Sequence, residues 1–229
     1  MISKSNIGYK VSKRLFDIFV SISILMTFSP IMIIVALIIK LQSQGKIFYL
    51  AKRAGIKGEM FSMYKFRTMH ENYPYKSKIT SKNDPRIFPF GKLIRQLKID
   101  ELPQFINVLR GEMSIVGPRP EDIEIVKKNY NKWMLETLLV PPGITGPGAI
   151  YGYSISDDVI EDDSPVESYI NAVLEPKIAL ERAYLNRANF LSDLKYILLT
   201  LLAIFYMLFN LKIKIPKIDL KNSKNFLSK

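Results

Sequence analysis

An aspartate followed at once by a glutamate, Asp100-Glu101, is the pair in this 229-residue sequence best placed to do chemistry, because its setting is cationic. Lys65, Arg67, Arg86, Arg95 and Arg119 all fall where a glycine, a proline or a strand end would bring the backbone close to a pocket. Consecutive helical residues point about 100° apart, so the two carboxylates would not share a proton as a dyad but could take different roles at one site. At a helix N-terminus the positive end of the dipole and the free N–H donors favour the ionised form, which suits a nucleophile or a metal ligand. Lys and Arg are the expected binders of a diphosphate, Arg through two parallel hydrogen bonds. Taken singly, the same residues also have plainer roles: Asp100 as a helix N-cap, Glu101 as a solvated acid, the cations facing water or lipid headgroups.

Composition narrows the remaining chemistry. The chain has no cysteine and one histidine, His70, so a zinc-thiolate site, a cysteine nucleophile and a multi-histidine metal site are excluded. Lys and Arg outnumber Asp and Glu by 33 to 21, a net charge of +12, which implies an anionic partner: phospholipid, nucleic acid or a phosphate-bearing substrate. With 48% hydrophobic residues and 24% charged, the chain is too apolar for disorder and too charged to consist mainly of membrane spans. No G-x-x-x-x-G-K-[ST] occurs, and the glycines at 143, 146 and 148 do not make a G-x-G-x-x-G after a strand.

The elements that must position these residues follow from patterning. Leu15 to Ile39 carries one charge, Asp17, and is long enough to cross a bilayer core of roughly 30 Å. Ser29-Pro30 falls inside it and should kink or break the helix, while Lys4, Lys10, Lys13 and Arg14 before it and Lys40, Lys46, Lys52 and Arg53 after it place both ends on the cytoplasmic side. The expectation is a re-entrant helix-hairpin, with Arg14 and Asp17 paired near the headgroups. Residues 47–53 and 60–67 flank Gly55 and Gly58 and read as a small β-hairpin. Residues 70–86 read as an exposed loop, with one helix ending near Lys98 and another beginning at about Asp100. Further helices are expected over 121–138 and 166–189, with loops at 117–120 and 141–148 and an acidic loop at 157–165. Tyr196 to Phe209 fits an interfacial or packed helix, and the tail with Lys212, Lys214, Lys217, Lys221, Lys224 and Lys229 fits a polybasic membrane contact. The predicted class is α+β and mainly helical. The predicted division is 1–45 for the membrane segment, 46–190 for the catalytic unit and 191–229 for the apolar helix and basic tail.

In order along the chain, Lys13-Arg14-Leu15-Phe16-Asp17, Ser29-Pro30, Tyr64-Lys65-Phe66-Arg67-Thr68-Met69, Asp84-Pro85-Arg86, Phe90-Gly91-Lys92 with Arg95, Asp100-Glu101-Leu102-Pro103-Gln104, Asn107 to Ser114, Val116-Gly117-Pro118-Arg119-Pro120 and Pro142 to Gly146 resemble the bacterial sugar transferases. These are monotopic polyprenyl-phosphate phosphoglycosyl transferases, and the length matches their small single-domain form. The resemblance covers roughly 10–148 and returns weakly at Leu191 to Leu202. It implies transfer of a sugar-1-phosphate from a UDP-sugar to undecaprenyl phosphate at the cytoplasmic face of the inner membrane, with Mg²⁺ and release of UMP. It implies that Asp100 is the nucleophile, that Glu101 shares its metal and proton environment, and that Ser29-Pro30 is the re-entrant break. By the same resemblance Arg119 contacts phosphate or nucleotide, and Lys65, Arg67, Arg86 and Arg95 occupy the family's basic positions. An anionic phospholipid surface is the expected membrane partner, no nucleic acid is expected, and a homodimer is left open.

Two departures stand out. After Gly146 many members continue with an aromatic, Gln and an Asn-Gly-Arg stretch, whereas this chain reads Pro147-Gly148-Ala149-Ile150-Tyr151-Gly152-Tyr153, and the acidic insert Asp157 to Asp163 is unlike the short forms. Both suggest a subgroup with its own donor. A basic membrane adaptor would leave Asp100-Glu101 and Gly117 to Pro120 unexplained, and nucleic-acid binding would leave the 25-residue apolar stretch unexplained.

Overall fold

The computed structural model describes residues 7–71, 73–74, 79–80, 84–161, 163–209, 211 and 213–227. Lys4, Lys212, Lys229 and parts of the loop predicted over 70–86 lie outside the described residues.

The N-terminal apolar stretch forms one helix, α1 (Ile7–Gln42), in place of two helices divided at Ser29-Pro30. Pro30 has no N–H for the Met26 carbonyl, and the Ser29 hydroxyl donates to that oxygen at 2.8 Å instead, which lets the helix continue. Apolar side chains remain exposed along α1, among them Phe19, Met26, Ile33 and Leu37. A surface of this kind calls for an apolar medium and fits membrane association.

Next come two antiparallel strands, β1 (Phe48–Ala54) and β2 (Met60–Phe66), in the hairpin the sequence predicts, with Tyr49 opposite Lys65 and Ala51 opposite Met63. Helix α2 (Pro89–Gln96) follows. Lys98 turns left-handed (φ 57°), and Ile99–Glu101 forms a 3₁₀ turn before α3 (Gln104–Arg110). The sequence suggested Asp100 as the N-cap of a helix, but α3 begins four residues later, with Pro103 at its N-cap. Gly111, left-handed at φ 79°, ends α3 and leaves its last carbonyls seeking donors.

Those carbonyls explain how α1 is anchored. Arg14 donates to Val108 O at 2.6 Å and Leu109 O at 2.8 Å, where the helix dipole also favours a cation. Buried Asp17 accepts from Ser114 Oγ at 2.7 Å and Ile115 N at 3.1 Å. The predicted Arg14–Asp17 pair does not form, because each side chain satisfies a backbone group of the body below. At the other end of α1, Val35 and Ile39 pack on Phe66, Phe88 and Ile94.

Part of the segment read as a loop over 141–148 is a short strand, β4 (Gly143–Thr145), paired in parallel with β3 (Ser114–Val116). The helix predicted over 121–138 is divided into α4 (Ile123–Asn129) and α5 (Lys132–Leu135), because the Asn131 side chain caps α5 by accepting from Met134 N. Helix α6 (Pro147–Val159) runs from the end of one expected loop into the start of the next, with Pro147 in its first turn, where a missing N–H costs nothing. The helix predicted over 166–189 is α7 (Pro165–Ser168), a π-helical stretch Tyr169–Leu174 and α8 (Glu175–Leu185). The wider π turn precedes Pro176, whose ring would otherwise clash within the run. Helix α9 (Phe190–Leu208) opens with an Asn189–Ser192 capping box, and its exposed Leu198, Leu201, Leu202 and Phe205 extend the apolar surface. The basic tail forms α10 (Lys217–Leu227) packed on α8, with buried Asp219 paired to Arg187, so it is part of the protein body and not solely a membrane contact. Lys214, Lys217, Lys221 and Lys224 stay exposed.

The core lies between the hairpin, α3, β3, α6, α8 and α9, around Met63, Val108, Met113, Ile150, Tyr184 and Tyr196. Beside it β3 and β4 meet backbone on backbone: a Cβ at Gly143 would lie 2.1 Å from Gly117 N. Gly143→Ala is expected to lower unfolding stability by about 2–3 kcal/mol and to displace the 117–120 loop. Urea unfolding in detergent measures this, and an unchanged midpoint would contradict the close packing.

Candidate functional site

The 3₁₀ turn after Lys98 buries both carboxylates, and they meet opposite environments. Glu101 Oε1 accepts from Lys65 Nζ at 3.0 Å and from Arg119 Nη2 at 2.6 Å, while its Oε2 lies 3.3 Å from Arg119 Nη1. Burial would raise the Glu101 pKa, but Arg119, then Lys65 and Lys98, hold it well below the usual carboxylate range. Asp100 Oδ1 is buried without a hydrogen-bond partner. Burial raises the Asp100 pKa, Lys65 draws it back, Glu101 raises it again, and Lys98 and Arg95 oppose. The neighbouring carboxylates are driven apart: Glu101 is held as an anion among cations, and Asp100 is a desolvated carboxyl with one oxygen unpartnered. This differs from the sequence argument, in which a helix N-terminus held Asp100 ionised.

Each cation is delivered by a distinct device. Lys65 stands on β2, whose edge is held by Asn107 of α3: Tyr64 N donates to Asn107 Oδ1, and Asn107 Nδ2 donates to Ser62 O, both at 2.9 Å. Arg119 stands in the Gly117 to Pro120 loop, which is fixed by Gly117 N to Thr145 O at 2.9 Å and Gly143 N to Pro118 O at 2.7 Å. From beneath, Arg119 N donates to Glu181 Oε1 of α8 at 2.8 Å. Two residues on, Glu121 is held by Lys177 Nζ at 2.5 Å and by the Tyr169 hydroxyl. The site is completed by two residues the sequence did not mark. The Lys98 ammonium sits 4.4 Å from the centre of the Tyr153 ring, and Tyr153 lies close enough to Glu101, Arg119 and Asp100 to feel their charge. Lys98 carried no motif signal beyond its place beside Asp100, and Tyr153 lies in the segment that departs from the family pattern.

Of the basic residues predicted for phosphate, Lys65 and Arg119 contact Glu101 directly, and Arg95 acts on Asp100 while donating to Thr68 Oγ1 at 3.2 Å. Arg86 pairs with Asp84 through Nε at 2.8 Å and Nη2 at 2.5 Å, one step further out. Arg67, expected at phosphate, is engaged by the chain that follows α1, donating to Lys46 O, Ser43 Oγ, Gln44 O and Ser43 O. The open C-terminus of a long helix needs donors, and a buried guanidinium supplies several at once. Ser29 and Pro30 lie in α1, apart from the carboxylates.

Among the described residues no group of three or more acidic or histidine side chains is gathered as a metal cage. Mg²⁺ is commonly held by one or two carboxylates together with substrate phosphates, and the orphaned Asp100 Oδ1 fits that use. Both Glu101 oxygens are already taken by Lys65 and Arg119.

Glu181 offers a test of the loop's support. Its carboxyl is pushed up to about 7 by burial, against Lys177, and its Oε2 has no partner. An acid raised in the folded state costs stability as pH climbs from its unfolded value through 7, and that cost is absent at low pH. Glu181→Gln keeps an acceptor for Arg119 N and is expected to gain stability over the unsubstituted chain between pH 5 and pH 8, by at most about 3 kcal/mol. Unfolding curves at both pH values measure the gain, and a difference independent of pH would contradict the assignment.

The sequence pattern of the family described as bacterial sugar transferase matches residues 8–207. An undecaprenyl-phosphate glucose phosphotransferase of Komagataeibacter xylinus is 35% identical over 199 residues, covering 83% of this chain and 35% of that protein. A UDP-glucose:undecaprenyl-phosphate glucose-1-phosphate transferase of Escherichia coli is 35% identical over 196 residues, covering 83% of this chain and 39% of its own length. The exopolysaccharide production protein ExoY of Sinorhizobium fredii is 35% identical over 210 residues, 85% of each. The chain thus spans little more than a third of the first two relatives and most of the third.

Proposed function

This chain belongs to the bacterial sugar transferase family, and from that premise we propose that it transfers a sugar-1-phosphate from a UDP-sugar to undecaprenyl phosphate, releasing UMP, as the first membrane step of a bacterial glycan pathway. The names of the relatives from K. xylinus and E. coli support the acceptor, and that of the E. coli protein supports a UDP-sugar donor. The observation that carries the mechanism is the division of labour between adjacent carboxylates: Glu101 engages two cations, and Asp100 keeps an unpartnered oxygen.

Asp100 attacks the β-phosphorus of the donor. The bond from that phosphorus to the bridging oxygen breaks, its electron pair leaves with UMP, and a phosphoglycosyl-aspartate remains. A phosphate oxygen of the lipid then attacks the same phosphorus, expels the Asp100 carboxylate and forms the diphosphate-linked sugar lipid. Charge on the equatorial oxygens is met by Arg119 and Lys65, which Glu101 holds at fixed positions. When bound through Asp100 and the diphosphate, Mg²⁺ would supply further neutralisation of the phosphoryl oxygens. Splitting the transfer in two lets one pocket serve a soluble donor and a lipid acceptor in turn.

The membrane path we propose is re-entrant and cytoplasmic, with the bend at Pro30. Support comes from the anchoring of α1 near both ends on one body, by Arg14 and Asp17 and again by Ile39. A straight helix would separate Asp17 from Ile39 by about 33 Å, enough to cross the bilayer core and carry the second anchor away from the first. Pro30→Ala is expected to straighten α1 toward a full span and to move cysteines placed before Leu15 to the far side. Unchanged accessibility of those cysteines to an impermeant reagent would count against Pro30 as the cause of the bend.

The direct test of function is UMP release by detergent-purified protein with undecaprenyl phosphate and Mg²⁺ across a panel of UDP-sugars. Release that needs one sugar and the lipid is expected, and Asp100→Asn should reduce it by at least roughly a thousandfold. Ready turnover by a folded Asp100→Asn protein would remove the covalent route.

A further inference from the structure

Lys98 is the one residue of this site in a conformation that ordinary side chains avoid. Its φ of 57° places it in the left-handed region, where a lysine persists only if its surroundings hold it there. The side chain is half-buried, and its ammonium rests over the Tyr153 ring, 4.4 Å from the centre. Among the described residues its Nζ makes no hydrogen bond or ion pair, although Glu101 and Asp100 are close enough for their charge to act on it. Glu101 is committed to Lys65 and Arg119. The centre therefore sets Lys65, Lys98 and Arg119 around Glu101, with Arg95 also acting on Asp100, and of the three around Glu101 Lys98 is the one that pairs with neither carboxylate among the described residues.

Resting on the donor reading above, we propose that Lys98 is a ligand for the donor diphosphate and that Tyr153 positions it by holding its ammonium over the ring. Without that ring the ammonium would be free to settle on Asp100, neutralising the carboxylate that must attack and leaving one cation fewer for the diphosphate. An aromatic face attracts a cation without consuming its charge, so the ammonium remains available when phosphate arrives. Arriving phosphate offers the stronger partner, a charge-assisted hydrogen bond, and draws Lys98 from the ring. Tyr153 lies in α6 within Pro147 to Tyr153, so the device belongs to the part of this chain that departs from the family pattern.

Titration calorimetry of the detergent-purified full chain with inorganic pyrophosphate and Mg²⁺ tests the binding without assuming the donor. Lys98→Asn, a residue that tolerates the left-handed conformation, should keep the melting temperature and weaken pyrophosphate about tenfold. Lys98→Arg should restore most of the loss, Tyr153→Phe should bind as the unsubstituted chain does, and Tyr153→Leu should weaken binding about threefold. Lys92→Asn, an exposed lysine of α2, is the control for general charge. Unweakened binding by Lys98→Asn, equal losses in Tyr153→Phe and Tyr153→Leu, or no pyrophosphate binding by the unsubstituted chain would overturn the proposal. UDP-sugar kinetics separate the two readings. A tenfold rise in donor KM with a smaller change in kcat for Lys98→Asn supports both. Lys98-dependent pyrophosphate binding without UMP release from any donor supports the lysine's role and removes the donor reading.

Discussion

The buried carboxylate of Glu101, shared between Lys65 and Arg119, is the contact on which the site depends. It joins three pieces of chain at one point: a strand of the hairpin, the 3₁₀ turn after Lys98, and the loop between β3 and α4. Burying one anion alone would be costly, and burying it between two cations leaves a locally positive cluster that suits a diphosphate. The arrangement also sets the two carboxylates apart. With its oxygens engaged, Glu101 is a poor nucleophile, while Asp100, one residue away, keeps an orphaned oxygen in a desolvated setting.

Much of the remaining fold supports that cluster. Asn107 uses its amide on the edge of β2 and so sets the height of Lys65. Gly117 and Gly143 let two backbones touch, and Glu181 with Lys177 holds the loop of Arg119 from below. The membrane helix is tied to the same framework, since Arg14 caps α3 and Asp17 holds β3. Helix α1 is thereby fastened to α3, the helix that follows the carboxylate turn.

The hairpin, α2 and α9 were legible in the sequence because their apolar and glycine spacing is local, and Asp100-Glu101 was legible because it lies in an ordered series of motifs. What escaped depends on partners distant in sequence. Pro30 looked like a break because its lost hydrogen bond was visible, whereas the Ser29 hydroxyl that serves Met26 O was not. Arg67 looked like a phosphate ligand because arginine chemistry is the same at a helix end and at a phosphate. Residues 143–145 looked like loop because β4 is short, glycine-bearing and paired only with β3. Lys98 and Tyr153 are separated by 55 positions, and only the fold brings them together.

The central claim is that Asp100, and not Glu101, forms the covalent bond to the donor phosphorus. The most direct measurement exposes the protein to its UDP-sugar and Mg²⁺ without undecaprenyl phosphate, quenches it, and locates any added mass by tandem mass spectrometry. The account predicts one sugar-phosphate per chain on Asp100, released on adding the lipid. Stoichiometric UMP with an unmodified chain, or an adduct on Glu101, would contradict it.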